Sequence, residues 1–152
     1  MRELPLEAPD FATIRELGGY YADKTEFLYR LVQLADPYFL SRPRRFGKTL
    51  LVSSLKYLLQ GRRDLFKGLW IDNSDYDWPV YPVITLEMNG VVGDDVADTL
   101  ENLTSMLEDV AWLNKVKVRG TKPKSMFKRL ILSLYEKYGQ KVAILIDEYD
   151  AP

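Results

Sequence analysis

The run Ser41-Arg42-Pro43-Arg44-Arg45-Phe46-Gly47-Lys48-Thr49 constrains this chain more than any other segment. It is entered from apolar Tyr38-Phe39-Leu40 and left through Leu50-Leu51-Val52. An apolar run, a charged turn and a second apolar run opening on Gly-Lys-Thr spell strand, phosphate-binding loop and helix. In such a loop, backbone N–H groups cradle phosphate oxygens and the lysine reaches the terminal phosphates. The general pattern is G-x-x-x-x-G-K-[ST], and here Arg42 stands where the first glycine should be. Read alone, Gly47-Lys48-Thr49 fits equally a strand-to-helix turn with glycine for conformation, lysine for solvent and threonine as a cap.

A second element supplies context. Val142-Ala143-Ile144-Leu145-Ile146 is an apolar, largely β-branched run ending in Asp147-Glu148, which reads as a buried strand delivering two carboxylates at its tip. In phosphate-loop enzymes such an aspartate shares the Mg²⁺ shell with the loop hydroxyl, and an adjoining acid orients or deprotonates the attacking water. Lys48, Thr49 and Asp147 are therefore the candidate nucleotide and Mg²⁺ ligands, and Glu148 is the residue that separates a hydrolase from a binder. Arg44 and Arg45 either fork onto phosphate or face solvent. Asp150 reads as a turn residue before Pro152, and Tyr20 and Tyr21 read as base-stacking or, for at least one of them, core residues. Trp70, Trp78 and Trp112 are expected to serve packing.

The rest of the composition narrows the chemistry by exclusion. With no cysteine and no histidine among 152 residues, thiol nucleophiles, disulfides, imidazole bases and His- or Cys-ligated metals are excluded. A formal charge of −1 and no long basic block argue against a dedicated DNA binder or a membrane-surface protein. The N-terminus lacks the apolar core of a signal peptide, and the expectation is a cytoplasmic protein without membrane spans.

The expected order of elements alternates. Residues up to Gly18-Gly19, punctuated by Pro5 and Pro9, read as an extended arm; 24–34 as a helix capped by Asp23 or Thr25 and ended by Pro37; 38–41 as the first strand. Then follow a helix over 49–59, a connector over 62–81 with a short helix near Asp64, a strand over 82–88, helices over 94–114 and 124–138, and the strand at 142–147. Strands alternating with helices imply an α/β fold on a parallel sheet. The division expected is an arm and helix over 1–36 preceding a nucleotide-binding core over 37–152. Because the chain stops right after the Asp-Glu pair, it reads as a fragment of something longer.

Together, Gly19-Tyr20-Tyr21-Ala22-Asp23-Lys24-Thr25, the loop from Phe39 to Leu50, Leu65-Phe66-Lys67-Gly68-Leu69, Tyr81-Pro82-Val83-Ile84 and Leu145-Ile146-Asp147-Glu148-Tyr149-Asp150 resemble the bacterial and archaeal AAA-ATPase-like family. That family carries its own arginine at the Arg42 position. The resemblance implies a three-layer P-loop NTPase sandwich of the AAA kind, ATP as nucleotide and Mg²⁺ as metal. Pro43, Arg44, Arg45, Phe46, Gly47, Lys48, Thr49, Leu50 and Asp147 would line the nucleotide, Thr49 and Asp147 would hold Mg²⁺, and Lys48 and Glu148 would be catalytic. It further implies a C-terminal region, often a PD-(D/E)XK nuclease-like domain, through which nucleic acid would be reached, and a further sheet strand absent here. The 152 residues are thus expected to leave a gap at the sheet's centre and hydrolyse ATP poorly. The runner-up is a nucleotide-gated interaction module that binds ATP or ADP with negligible turnover.

Overall fold

Asp10 accepts a hydrogen bond from the N–H of Ala12, an N-cap that starts helix α1 over Phe11–Glu16 in the computed structural model. The structure describes residues 10–34, 36–41 and 46–149, which fall into two compact units, one within residues 1–79 and one within 80–152. The extended arm expected up to Gly19 is thus corrected from Phe11 onward. Phe11 and Ile14 share one helical face and are buried, and the aspartate cap outweighs the turn signals around it.

In the first unit, α2 spans Thr25–Leu34 and α3 spans Lys48–Leu59, followed by short 3₁₀ turns at Arg63–Phe66 and Trp70–Asn73. The core is aromatic. Phe11 lies 4.9 Å from Tyr21 and 4.8 Å from Phe66, ring centre to ring centre, and Leu28, Leu58 and Ile71 are fully buried with it. Polar bonds lock α1 onto α3: the Phe11 N–H donates to Ser53 Oγ at 3.1 Å and the Tyr57 hydroxyl donates to Asp10 Oδ2 at 2.9 Å. Burial, then the Asp10 carboxylate, push the Tyr57 phenol up to about 12, so it remains a donor. Arg15 donates to the Leu65 and Lys67 carbonyls and ties α1 to the first 3₁₀ turn.

The segment 38–41 is not a strand. Tyr38, Phe39 and Leu40 are exposed, and the ladder of the described residues contains two strands, neither of them this one. Extended backbone becomes a strand only when a neighbouring strand takes its hydrogen bonds.

The second unit is built on that ladder. Strand β1 (Val83–Glu87) pairs in parallel with β2 (Ala143–Asp147), Val83 opposite Ala143 through to Glu87 opposite Asp147. Between them in sequence lie α4 (Val96–Leu113), capped by the Asp95 carboxylate on the Asp98 N–H, and α5 (Pro123–Tyr138), opened by Pro123 and closed by Gly139 at φ 62°. Met126, Leu130 and Leu134 recur every fourth residue on α5 and pack with Leu107, Val110 and Ala111 of α4 against Ile84 and Leu86. Each fully buried leucine contributes about 1.5–3 kcal/mol. The parallel α/β architecture is as expected. A wholly buried β2 is not, because Ile144 and Ile146 are 40% and 49% exposed where β2 has no second ladder partner among the described residues. No helix among the described residues is long and apolar enough to cross a membrane.

Asp23 is the polar hinge of the first unit. Its carboxylate accepts from the N–H and hydroxyl of Thr25, at 2.9 and 2.7 Å, and from the N–H of Trp70 at 2.6 Å. The buried Thr25 hydroxyl in turn accepts from the Ile71 N–H at 3.1 Å. Burial opposes ionisation, but the Thr25 and Trp70 donors and the nearby Arg15 outweigh it and hold the carboxyl below its ordinary 3.8. A group depressed in this way stabilises the fold above its unfolded value, and that stabilisation is lost as pH falls through the lower folded value. Asp23→Ala is expected to cost about 1–2 kcal/mol at neutral pH, near the low end because solvent reaches the carboxylate. In urea melts over a pH series, the gap from wild type should close as pH drops below 3.8; a gap independent of pH would count against the ionised hinge.

Candidate functional site

Helix α3 begins at the residue the sequence marked. Gly47 adopts φ 75°, ψ 26° and leads into Lys48 as the first helical residue. This left-handed turn is open to glycine at little cost. A Cβ built there meets nothing within 4 Å, so the constraint is the backbone alone. The helical ladder opens with the Leu51 N–H donating to the Gly47 carbonyl at 3.0 Å. Glycine has no side chain with which to cap the first-turn N–H groups, which are the donors that bind anions at helix N-termini.

Lys48 is half-buried, Thr49 exposed and Leu50 half-buried, and Phe46 is exposed ahead of them. Ser53 and Ser54 donate their hydroxyls to the Leu50 carbonyl at 3.1 and 2.7 Å, and Ser54, Leu55 and Leu58 are buried. Together with the Asp10, Phe11 and Tyr57 bonds, this fixes the helix that presents Lys48 and Thr49. Nothing in the spacing of the chain announced those locking residues, because they act across more than forty positions through single hydrogen bonds. Pro43, Arg44 and Arg45, expected to line the nucleotide, lie outside the described residues, as do Arg42 and Asp150. Of the two tyrosines expected at a base pocket, Tyr21 packs edge-on against Phe11 whereas Tyr20 is exposed.

Asp147 and Glu148 belong to the second unit. Asp147 ends β2 and is 6% exposed. Its position is fixed by the ladder, which continues past the strand as the Met88 N–H donates to the Asp147 carbonyl at 3.0 Å. Asp147 Oδ1 accepts from the Glu148 N–H at 2.9 Å, and among the described residues no lysine or arginine forms an ion pair with it. A buried carboxylate without a cationic side chain is a site suited to a bound cation. Among the described residues no cluster of three acidic side chains forms a dedicated metal cage.

Glu148 adopts φ 53°, a left-handed conformation that costs a non-glycine residue roughly 1–2 kcal/mol. The Asp147 carboxylate supports the turn by holding the Glu148 N–H, and the chain turns sharply off the strand just where the second acid is carried.

The family model described as a predicted AAA-ATPase matches residues 5–152. An uncharacterised protein from the vnfD 5′ region of Azotobacter chroococcum mcd 1 is 35% identical over 153 aligned residues, which cover 99% of this chain and 30% of that protein. The chain thus spans about a third of the length of the curated relative it matches. No solved structure matches the chain.

Replacing Glu148 by glycine removes the left-handed penalty while raising the entropy of the unfolded chain. Glu148→Gly is therefore expected to leave stability within about 1 kcal/mol of wild type, measured by urea denaturation. A loss well beyond that would show that the Glu148 side chain itself holds the fold together.

Proposed function

Starting from the predicted AAA-ATPase family, to which this chain belongs, we propose that it is the nucleotide-binding part of a Mg²⁺-dependent ATPase whose turnover drives conformational change in a longer protein. One observation carries the reading: the loop lysine and threonine open α3 directly after a left-handed Gly47, where uncapped helix N–H groups favour an anion. The buried Asp147 and the strained Glu148 support it from the second unit.

Lys48 neutralises the terminal phosphates and orients them. Thr49 would offer a hydroxyl and Asp147 a carboxylate to Mg²⁺, which when bound would supply positive charge against the charge developing on the phosphates. Glu148, held in its turn by Asp147, would orient the attacking water and accept its proton as the new O–P bond forms, while the bond from the γ-phosphorus to the β–γ bridging oxygen breaks and ADP leaves with inorganic phosphate as the other product. Pro43, Arg44, Arg45, Phe46 and Leu50 complete the proposed nucleotide contacts, with the two guanidiniums forking onto phosphate.

Steady-state ATP hydrolysis and nucleotide binding by the full-length protein test these roles. Lys48→Ala is expected to weaken Mg·ATP binding at least about tenfold. Glu148→Gln should bind ATP as wild type does but turn over about 100-fold more slowly. Wild-type binding without hydrolysis would replace the ATPase with the nucleotide-gated interaction module, and no binding at all would remove the phosphate loop from the account.

A further inference from the structure

Between Asp109 and Glu136 the chain carries no acidic residue, yet it holds Lys115, Lys117, Arg119, Lys122, Lys124, Lys128 and Arg129. These are seven of only 21 basic residues in a chain of formal charge −1. All seven side chains are exposed. Sequence spacing alone leaves them scattered, since they straddle the end of α4, a connector and the start of α5.

The fold draws them into a strip. In the connector, Val116 and Val118 pack on the core of the second unit, and the alternate residues Lys115, Lys117 and Arg119 face out. From α5, Arg129 donates to the Arg119 carbonyl at 2.6 Å, and Lys137 donates to the Asn114 and Lys115 carbonyls at 2.7 and 3.4 Å. The connector therefore runs antiparallel beside α5. The two distances agree, because four extended residues span roughly 13 Å and eight helical residues roughly 12 Å. Lys124 and Lys128, one turn apart and exposed, add positive charge near the start of α5. Among the described residues none of these cations is in an ion pair.

Two shallow clefts share Lys117 and Arg119. One lies against α4 and is edged by Glu108 and Trp112; the other lies against α5 and is edged by Arg129 and Glu136. A cationic line with a glutamate on either side fits a line of negative charge better than an anionic sheet such as a lipid surface, which would meet both glutamates at once. Trp112 is 77% exposed at the rim, contrary to its expected packing role, and an aromatic face beside cations is a stacking platform for an unpaired base.

We propose that this strip binds single-stranded nucleic acid, with Lys117, Arg119, Lys122, Lys124 and Lys128 along the phosphodiester backbone and Trp112 stacked on a base. The site lies on this chain's own second unit and does not depend on the ATPase assignment.

The test is fluorescence anisotropy of a labelled single-stranded oligonucleotide, its duplex, and vesicles containing anionic phosphatidylserine, with the full-length protein across a salt series. K117E/K122E/K128E replaces three side chains that make no hydrogen bond among the described residues, and thermal melting checks that it remains folded. Single-strand binding is expected to fall more than tenfold, and the slope of log affinity against log salt to flatten by about 2, at about 0.7 per phosphate contact. Trp112→Ala should weaken single-strand binding at least about fivefold and leave the duplex unaffected. Lys67→Glu, on the first unit, should change neither. The proposal is overturned if wild type does not bind, if the triple variant binds as wild type does, or if the duplex or the vesicles are preferred.

Discussion

A single constraint, that backbone hydrogen-bonding groups withdrawn from water must find partners, organises both units. In the second unit it is met by five parallel pairings, and the register that places Glu87 opposite Asp147 also places Ile84 and Leu86 under α4 and α5. A slip of one residue would turn those apolar side chains to the opposite face. The position of Asp147 is therefore inherited from the core beneath it. In the first unit the same constraint is met by side chains: Asp10 caps α1, Asp23 takes the Thr25 and Trp70 N–H groups, and Ser53 takes that of Phe11.

The two ends singled out as the candidate site meet this constraint differently. At Gly47 the helix opens on a residue with no side chain to cap it. At Glu148 the backbone accepts a left-handed turn that glycine would make more cheaply. There the N–H keeps its partner in Asp147 Oδ1, so the cost at Glu148 is conformational. Local strain that stability alone does not demand points toward a role in binding or chemistry.

Much of this was legible in the chain because periodicity and punctuation agreed. α2, α3, α4, α5, β1 and β2 fall where apolar spacing, proline and glycine put them. α1 was hidden because Pro5, Pro9 and Gly18-Gly19 crowd a helix of only six residues. The segment at 38–41 was read as a strand from its apolar run, but strand formation depends on a neighbour that local sequence does not encode. For the candidate site, the sequence placed Gly47-Lys48-Thr49 at a helix start and Asp147 at a strand end, and both placements hold because each is set by the element it adjoins. The serine and tyrosine locks on α3 were beyond reach for the opposite reason. The basic strip was missed because its members become neighbours only when the connector folds back along α5.

That fold-back gives the second unit a mechanical property. Leu130 and Leu134 of α5 share a close-packed core with Ile84 and Leu86 of β1, and β1 is bonded residue by residue to β2, which ends at Asp147. Cores packed to crystal-like density do not deform smoothly. The end of β2 is therefore joined to α5 through a continuous packed layer, and α5 in turn is tied to the connector carbonyls by Arg129 and Lys137. The α5 to β2 link is short, running through Gly139, so little slack separates the two. If Asp147 holds Mg²⁺ and the strip holds a polyanion, as proposed above, the two would be mounted on one packed layer, which is the physical contiguity that coupling between them would require.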